Sequence, residues 1–258
     1  MRRNIKVSYN SNNMQTCADI LSSLADMASH LIAPKLCPVC GRPLMRGETA
    51  LCLQCLGKLP RCATDGHTAS MTTFVSNGVA PAGFTAAWFI YNPLSPFADL
   101  IRGIKYGDRP RLGRELGRIF GREMLASASP GLPWIAGVDV LLPVPSHFTK
   151  RMRRGFNQSV EIARGISDAT GIPVADNLRA RKAHYTQTRK SATERRNNLD
   201  DTMVLDSPHE LDGLHTAIVD DIVTTGATAG ECVRAISVSG AHPATIGLIS
   251  LGLTIAAS

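Results

Sequence analysis

Thirteen residues hold the densest chemistry in the chain: Thr216-Ala217-Ile218-Val219-Asp220-Asp221-Ile222-Val223-Thr224-Thr225-Gly226-Ala227-Thr228. The apolar run Ala217 to Val219 predicts a buried parallel strand, with the carboxylates of Asp220 and Asp221 where that strand should end. Thr224, Thr225 and Thr228 supply hydroxyls, and Gly226 permits a tight turn with Ala227 beside it. Backbone N–H groups at the start of a helix from Ala229 to about Val238 can then converge on a phosphate. The two acids suit groups attached to that phosphate, either sugar hydroxyls or a divalent metal. A phosphorylated ribose meets both halves. No Walker lysine motif and no G-x-G-x-x-G fingerprint is present, which argues against the two commonest other phosphate loops.

A second chemical cluster consists of Cys37-Pro38-Val39-Cys40 and Cys52-Leu53-Gln54-Cys55. Each C-x-x-C pair can grip one ion from one turn, and four thiolates give a closed tetrahedral site, so structural Zn²⁺ is expected. Two disulfides or a redox C-x-x-C are the other readings; a reducing cytoplasm opposes the first, and a redox pair would not need its duplicate.

Cations gather at Lys150-Arg151-Met152-Arg153-Arg154-Gly155-Phe156-Asn157-Gln158-Ser159, behind the stiff turn Pro143-Val144-Pro145-Ser146. Positive charge opposes the dipole at a helix N-terminus, so a bound pyrophosphate would account for this placement better than a bare surface.

These groups need a sheet to hold them. Ala86 to Tyr91, Val138 to Leu142 and Thr245 to Leu253 read as further strands. Pro96 to Ile104, Arg109 to Leu125 and a segment carrying Val160, Ile162, Ala163 and Ile166 read as helices, implying an open, mostly parallel α/β sheet. The arginines of the second helix are expected on a solvated face, with nucleic-acid contact as the other reading. Leu178 to Asn198 is polar and basic, composed to fold over a ligand, to grip a nucleic-acid backbone, or to lie exposed. Cys17 to Ile32 carries Ile20, Leu21, Leu24, Met27, Ala28 and Leu31 at helical spacing, and its polar face has Asp19 and Asp26 but no Lys or Arg. That helix is expected to pack on the body of the protein.

At 258 residues, 44% hydrophobic and 19% charged, the chain can bury a sizeable core. Its net charge of +7 favours anionic partners, phosphates or nucleic acid. The N-terminus lacks an apolar signal core and no apolar run could span a bilayer, so a cytoplasmic protein is expected.

Val219 to Thr228 resembles the phosphoribosyl pyrophosphate (PRPP) signature of type I phosphoribosyltransferases. The cysteine pairs, Lys105-Tyr106-Gly107-Asp108, Pro143-Val144-Pro145, Arg154-Gly155-Phe156-Asn157-Gln158, Gln187 and Glu194 to Leu199 together resemble ComF-family proteins, from about residue 34 to the C-terminus. His184 departs from the threonine many relatives carry three residues before the glutamine, and Lys190-Ser191-Ala192 replaces their usual serine beside leucine.

Apolar periodicity gives a helical segment at 1–33; the resemblance implies a zinc module at 34–62 and a type I phosphoribosyltransferase fold at 84–258 that binds PRPP with Mg²⁺. It implies that Asp220 and Asp221 meet the ribose hydroxyls, that Thr224 to Thr228 hold the 5′-phosphate, and that Pro143 to Ser146 with Arg153 and Arg154 face pyrophosphate. It also implies work in competence, DNA uptake or nucleotide metabolism. The acceptor is unassigned. The implied partners are single-stranded DNA, uptake or recombination proteins, and further copies of the chain; a non-catalytic PRPP sensor that grips single-stranded DNA is the other class.

Overall fold

The computed structural model describes residues 34–62, 82–106, 110–127, 135, 137–146, 155–181 and 202–254. The helix expected over Cys17 to Ile32, Arg153, Arg154, His184, Gln187 and the block around Glu194 lie outside these residues.

Its elements run α1 (Leu53–Gly57), β1 (Ala82–Ile90), α2 (Ala98–Tyr106), α3 (Pro110–Ala126), β2 (Val140–Pro143), α4 (Gln158–Thr170), β3 (Leu178–Arg181), β4 (Thr202–Leu205), a 3₁₀ turn (Pro208–Leu211), β5 (His215–Val223), α5 (Ala227–Val238) and β6 (Thr245–Leu253). Four strands form one sheet in the order β1-β6-β5-β2, and every pair is parallel. This is the expected parallel α/β architecture.

Both faces of that sheet are covered, as the near-continuous apolar runs of β5 and β6 require. Side-chain alternation divides the core in two. Ala217, Val219, Ile249, Leu251 and Leu141 join one cluster with Leu100 and Ile104 of α2, Leu116 and Phe120 of α3, and Ile162 and Ile166 of α4. Ile218, Leu248 and Leu142 join the other with Cys232, Val233 and Ile236 of α5, and with Leu178, Met203 and Leu205 of β3 and β4.

β5 runs past the point expected of it. The acids do not end the strand: Asp220 pairs with Ser250, Ile222 with Gly252 and Val223 with Leu253. It is the neighbour β2 that stops, at Pro143 opposite Val219. The acids therefore lie inside β5, directly beyond the end of the shorter strand.

Two further differences reflect tertiary context. β3, at the start of the stretch from Leu178 to Asn198 that reads as polar and basic, forms an antiparallel ribbon with β4, a pairing partner that lies beyond residue 201. On α3, Arg114 and Arg118 are not simply solvated. Both bind Asp168 of α4, Arg114 through Nε at 2.7 Å and Nη2 at 2.8 Å, Arg118 through Nη2 at 2.8 Å. Hydrogen bonds and charge from both guanidiniums hold the Asp168 carboxyl well below the usual range.

Among the described residues no helix is long and apolar enough to cross a membrane.

Helices α3 and α4 approach so closely that glycine is required where they cross. A Cβ on Gly165 would overlap the Arg114 carbonyl oxygen, and one on Gly117 would overlap that of Ile162. Backbone on both sides leaves nothing free to yield. Gly165→Ala is expected to destabilise the fold by about 1–3 kcal/mol in denaturant unfolding, the range for forced overpacking; an unchanged midpoint would refute this account of the helix pair.

Candidate functional site

In a parallel sheet all strands end at the same edge, and ligands of such folds gather there. Here that edge brings together the turn after β2, the acids of β5, the loop before α5 and the first turn of α4.

The turn after β2 is tied down from two sides. Val144 donates its N–H to the carbonyl of Val219 at 2.9 Å, which extends the ladder by one bond beyond the strand. The Asn157 side chain donates Nδ2 to the Val144 carbonyl at 3.0 Å, and its Oδ1 accepts the Ser159 N–H at 3.1 Å, capping α4. One asparagine thus starts a helix and fixes the turn beside it. Pro143, Val144 and Pro145 are buried. Among the described residues the buried Oγ of Ser146 and Nε2 of Gln158 have no hydrogen-bond partner, so each keeps capacity for a ligand or water.

The two acids have different surroundings. The Ser159 hydroxyl donates to Asp220 Oδ1 at 3.2 Å, and the Asp221 N–H donates to the same oxygen at 2.8 Å. Asp221 forms an ion pair with Lys105 Nζ of α2 at 3.0 Å. Burial, then the neighbouring Asp221 charge, push the Asp220 carboxyl above its ordinary value, against the pull of these donors and of Lys105.

Thr224, Thr225, Ala227 and Thr228 are exposed, and Gly226 is buried with φ 74°, a left-handed conformation suited to glycine. Gly226 caps α5 with no side-chain hydrogen bond, and no acid occupies the first helical turn. The helix starts at Ala227, two residues earlier than the sequence suggests, so its positive end borders the threonine loop.

Sequence reasoning brought Asp220, Asp221, the threonine loop and Pro143 to Ser146 to one edge, where they meet. It missed Ser159 and Asn157 as positioning groups and Lys105 as the partner of Asp221. The signal for Lys105 was present in the motif at 105–108, but its pairing depends on α2 crossing the end of β5.

In the cysteine module the Sγ atoms of Cys37, Cys40, Cys52 and Cys55 all lie within 4.8 Å of one another. Tetrahedral Zn²⁺ with bonds near 2.3 Å would set its sulfurs about 3.8 Å apart. This donor set fits a metal ion and is consistent with a zinc module. Glu48 was also missed. Its carboxylate accepts the N–H groups of Met45 and Leu53, each at 2.8 Å, and binds Arg42, joining the two knuckles. Burial would raise the Cys52 thiol, but the Cys55 N–H, Arg42 and neighbouring thiols hold it at about 6, poised as a thiolate.

The module shares its core with the sheet domain. Cys37, Cys52 and Cys55 belong to the same buried cluster as Trp88 and Phe120, whose rings stack at 5.7 Å. Pro60 and Cys62 bond to the backbone of β1.

No family model matches the chain. The chain is 30% identical over 221 residues to "DNA utilization protein YhgH" of Salmonella typhi, covering 82% of this chain and 94% of that protein. It is 32% identical over 143 residues to "Competence protein F" of Haemophilus influenzae, covering 54% of this chain and 60% of that one. Among solved structures, glutamine phosphoribosylpyrophosphate amidotransferase from B. subtilis, complexed with ADP and GMP, has a TM-score of 0.33 and 19% identity, over 53% of this chain and 26% of that chain.

Two outcomes are expected. An Asp carboxyl raised by folding costs stability when ionised, and the cost grows as pH rises from the ordinary carboxylate range through its folded value. Asp220→Asn should therefore be more stable than the parent by about 1–2 kcal/mol at pH 8, converging with it near pH 4; a deficit at pH 8 would contradict the assigned environment. Stripping the metal with a strong chelator should shift Trp88 emission to the red in a Trp134→Phe background, with one Zn²⁺ released per chain by mass spectrometry. Unchanged emission and no released metal would remove the zinc assignment.

Proposed function

We propose, for a chain that belongs to the ComF-like family of phosphoribosyltransferase-type proteins, that the sheet edge is a PRPP site serving DNA uptake or utilisation. The observation that carries this reading is the succession along β5: two acids inside the strand, then exposed threonines and a left-handed glycine at an open helix N-terminus.

Each part matches one part of the ligand. Thr224, Thr225, Gly226, Ala227 and Thr228 hold the 5′-phosphate through hydroxyls and N–H groups, helped by the α5 dipole. Asp220 and Asp221 accept the ribose hydroxyls. Ser159 keeps Asp220 oriented, and Lys105 offsets part of the acidic charge, so the pair tolerates an anionic ligand nearby. Pro143 to Ser146 border the pyrophosphate, with Arg153 and Arg154 as its cations. Phosphate oxygens of the ligand would hold Mg²⁺, a hard ion for oxygen ligands, which would neutralise part of the pyrophosphate charge.

If transfer occurs, the bond from ribose C1 to the pyrophosphate oxygen breaks with its electron pair leaving on pyrophosphate, and an acceptor lone pair forms the new bond to C1. Positioning and electrostatics dominate such a step. The acids would stabilise positive charge developing on the ribose ring. The second reading is a PRPP sensor whose basic chain, net +7, grips single-stranded DNA electrostatically. Names of relatives in DNA utilisation and competence favour a DNA connection for either reading. In both, the four-cysteine unit at 34–62 holds structural Zn²⁺ and 84–258 carries the ligand site; the location is cytoplasmic.

Calorimetry with PRPP and Mg²⁺ on zinc-loaded protein is expected to show binding, and Asp220→Asn with Asp221→Asn should weaken it at least tenfold while the fold persists. Unchanged affinity in the double variant would rule out this site. Pyrophosphate release on adding bases or single-stranded DNA would identify a transferase; PRPP binding without release would favour the sensor.

A further inference from the structure

Between the cysteine module and the start of α3 lies an open cavity of about 660 Å³. Leu36, Pro38, Leu44 and Leu112 give it apolar walls; Lys35 and Arg111 also line it, with Glu115, whose carboxylate is paired with Arg118. Leu36 is 52% exposed although it faces this groove. Among the described residues neither Lys35 nor Arg111 has an ion-pair partner.

We infer that this groove is the docking site of the chain's own segment Cys17 to Ile32, bound as an amphipathic helix. Three observations converge. The described chain begins at Pro34, which itself lines the cavity, so only one residue separates Ile32 from the groove. Ile20, Leu21, Leu24, Met27, Ala28 and Leu31 form an apolar stripe that needs an apolar partner, and the groove supplies one. Charge also matches: in a chain of net charge +7 this segment carries Asp19 and Asp26 and no Lys or Arg, and the groove offers Lys35 and Arg111, while the one acid among its described residues, Glu115, is already paired with Arg118. As a helix it would extend about 24 Å, comparable with α3 beside it. Docked there, it covers the exposed apolar surface of the module and braces it against the helical layer.

The test uses the full chain with p-benzoylphenylalanine at exposed Thr49, a lining residue of the groove. Irradiation at micromolar concentration should link this position to residues between 17 and 32. In a mixture of ¹⁴N- and ¹⁵N-labelled protein the linked peptides should carry a single label. Leu24→Asp with Met27→Asp should cut the link at least fivefold, while zinc content stays at one ion per chain as evidence of an intact fold. Arg111→Glu should lower the yield severalfold, and Asp19→Lys with Asp26→Lys should restore it. Mixed-label links, which place a second copy in the groove, or the absence of links to 17–32, would overturn the proposal.

Discussion

The parallel pairing of β5 between β6 and β2 is the constraint on which the rest depends. Parallel strands cannot be joined by hairpins, so each connection must cross back over the sheet, and helices come to cover both faces. All four strands then finish at one edge. The β5 acids, the threonine loop, the turn after β2 and the first turn of α4 share that edge as a direct consequence.

Unequal strand lengths turn this edge into a site. β2 ends at Pro143, opposite Val219, whereas β6 accompanies β5 to Val223. The acids therefore stand where β5 has lost one neighbour, and their charges are met by side chains in its place: the Ser159 hydroxyl for Asp220 and the Lys105 ammonium for Asp221. Asn157 locks the arrangement by bonding both to the turn after β2 and to its own helix. Two adjacent carboxylates in such a place are costly, and a fold that keeps them retains strong hydrogen-bond acceptors at the sheet edge.

The cysteine module depends on the same body. Its tail pairs with β1, the edge strand, so the module also closes an edge that would otherwise offer unpaired N–H and C=O groups. Trp88 connects the parts further: its ring stacks on Phe120, and its indole N–H donates to Glu123, which also receives Arg61 at 2.9 and 2.8 Å. Within the module Glu48 links the two knuckles through backbone donors, an arrangement independent of the thiols themselves.

The amino-acid sequence by itself determined whatever depends on local order. The apolar runs Ala217 to Val219 and Thr245 to Leu253 read as buried strands, and 245–253 matches β6 residue for residue. The doubled C-x-x-C spacing placed four thiols together, and the order of acids, threonines and glycine identified the candidate site. Only the tertiary structure decided what depends on groups far apart in the chain. That Asp220 and Asp221 lie within β5 follows from β6 continuing beside it, and the β3–β4 ribbon exists because Thr202–Leu205 returns to Leu178–Arg181. The pairing of Lys105 with Asp221, of Ser159 with Asp220 and of two α3 arginines with Asp168 likewise arises from helix crossings. Periodicity reports which face of an element is buried; it carries no record of which distant side chain arrives there.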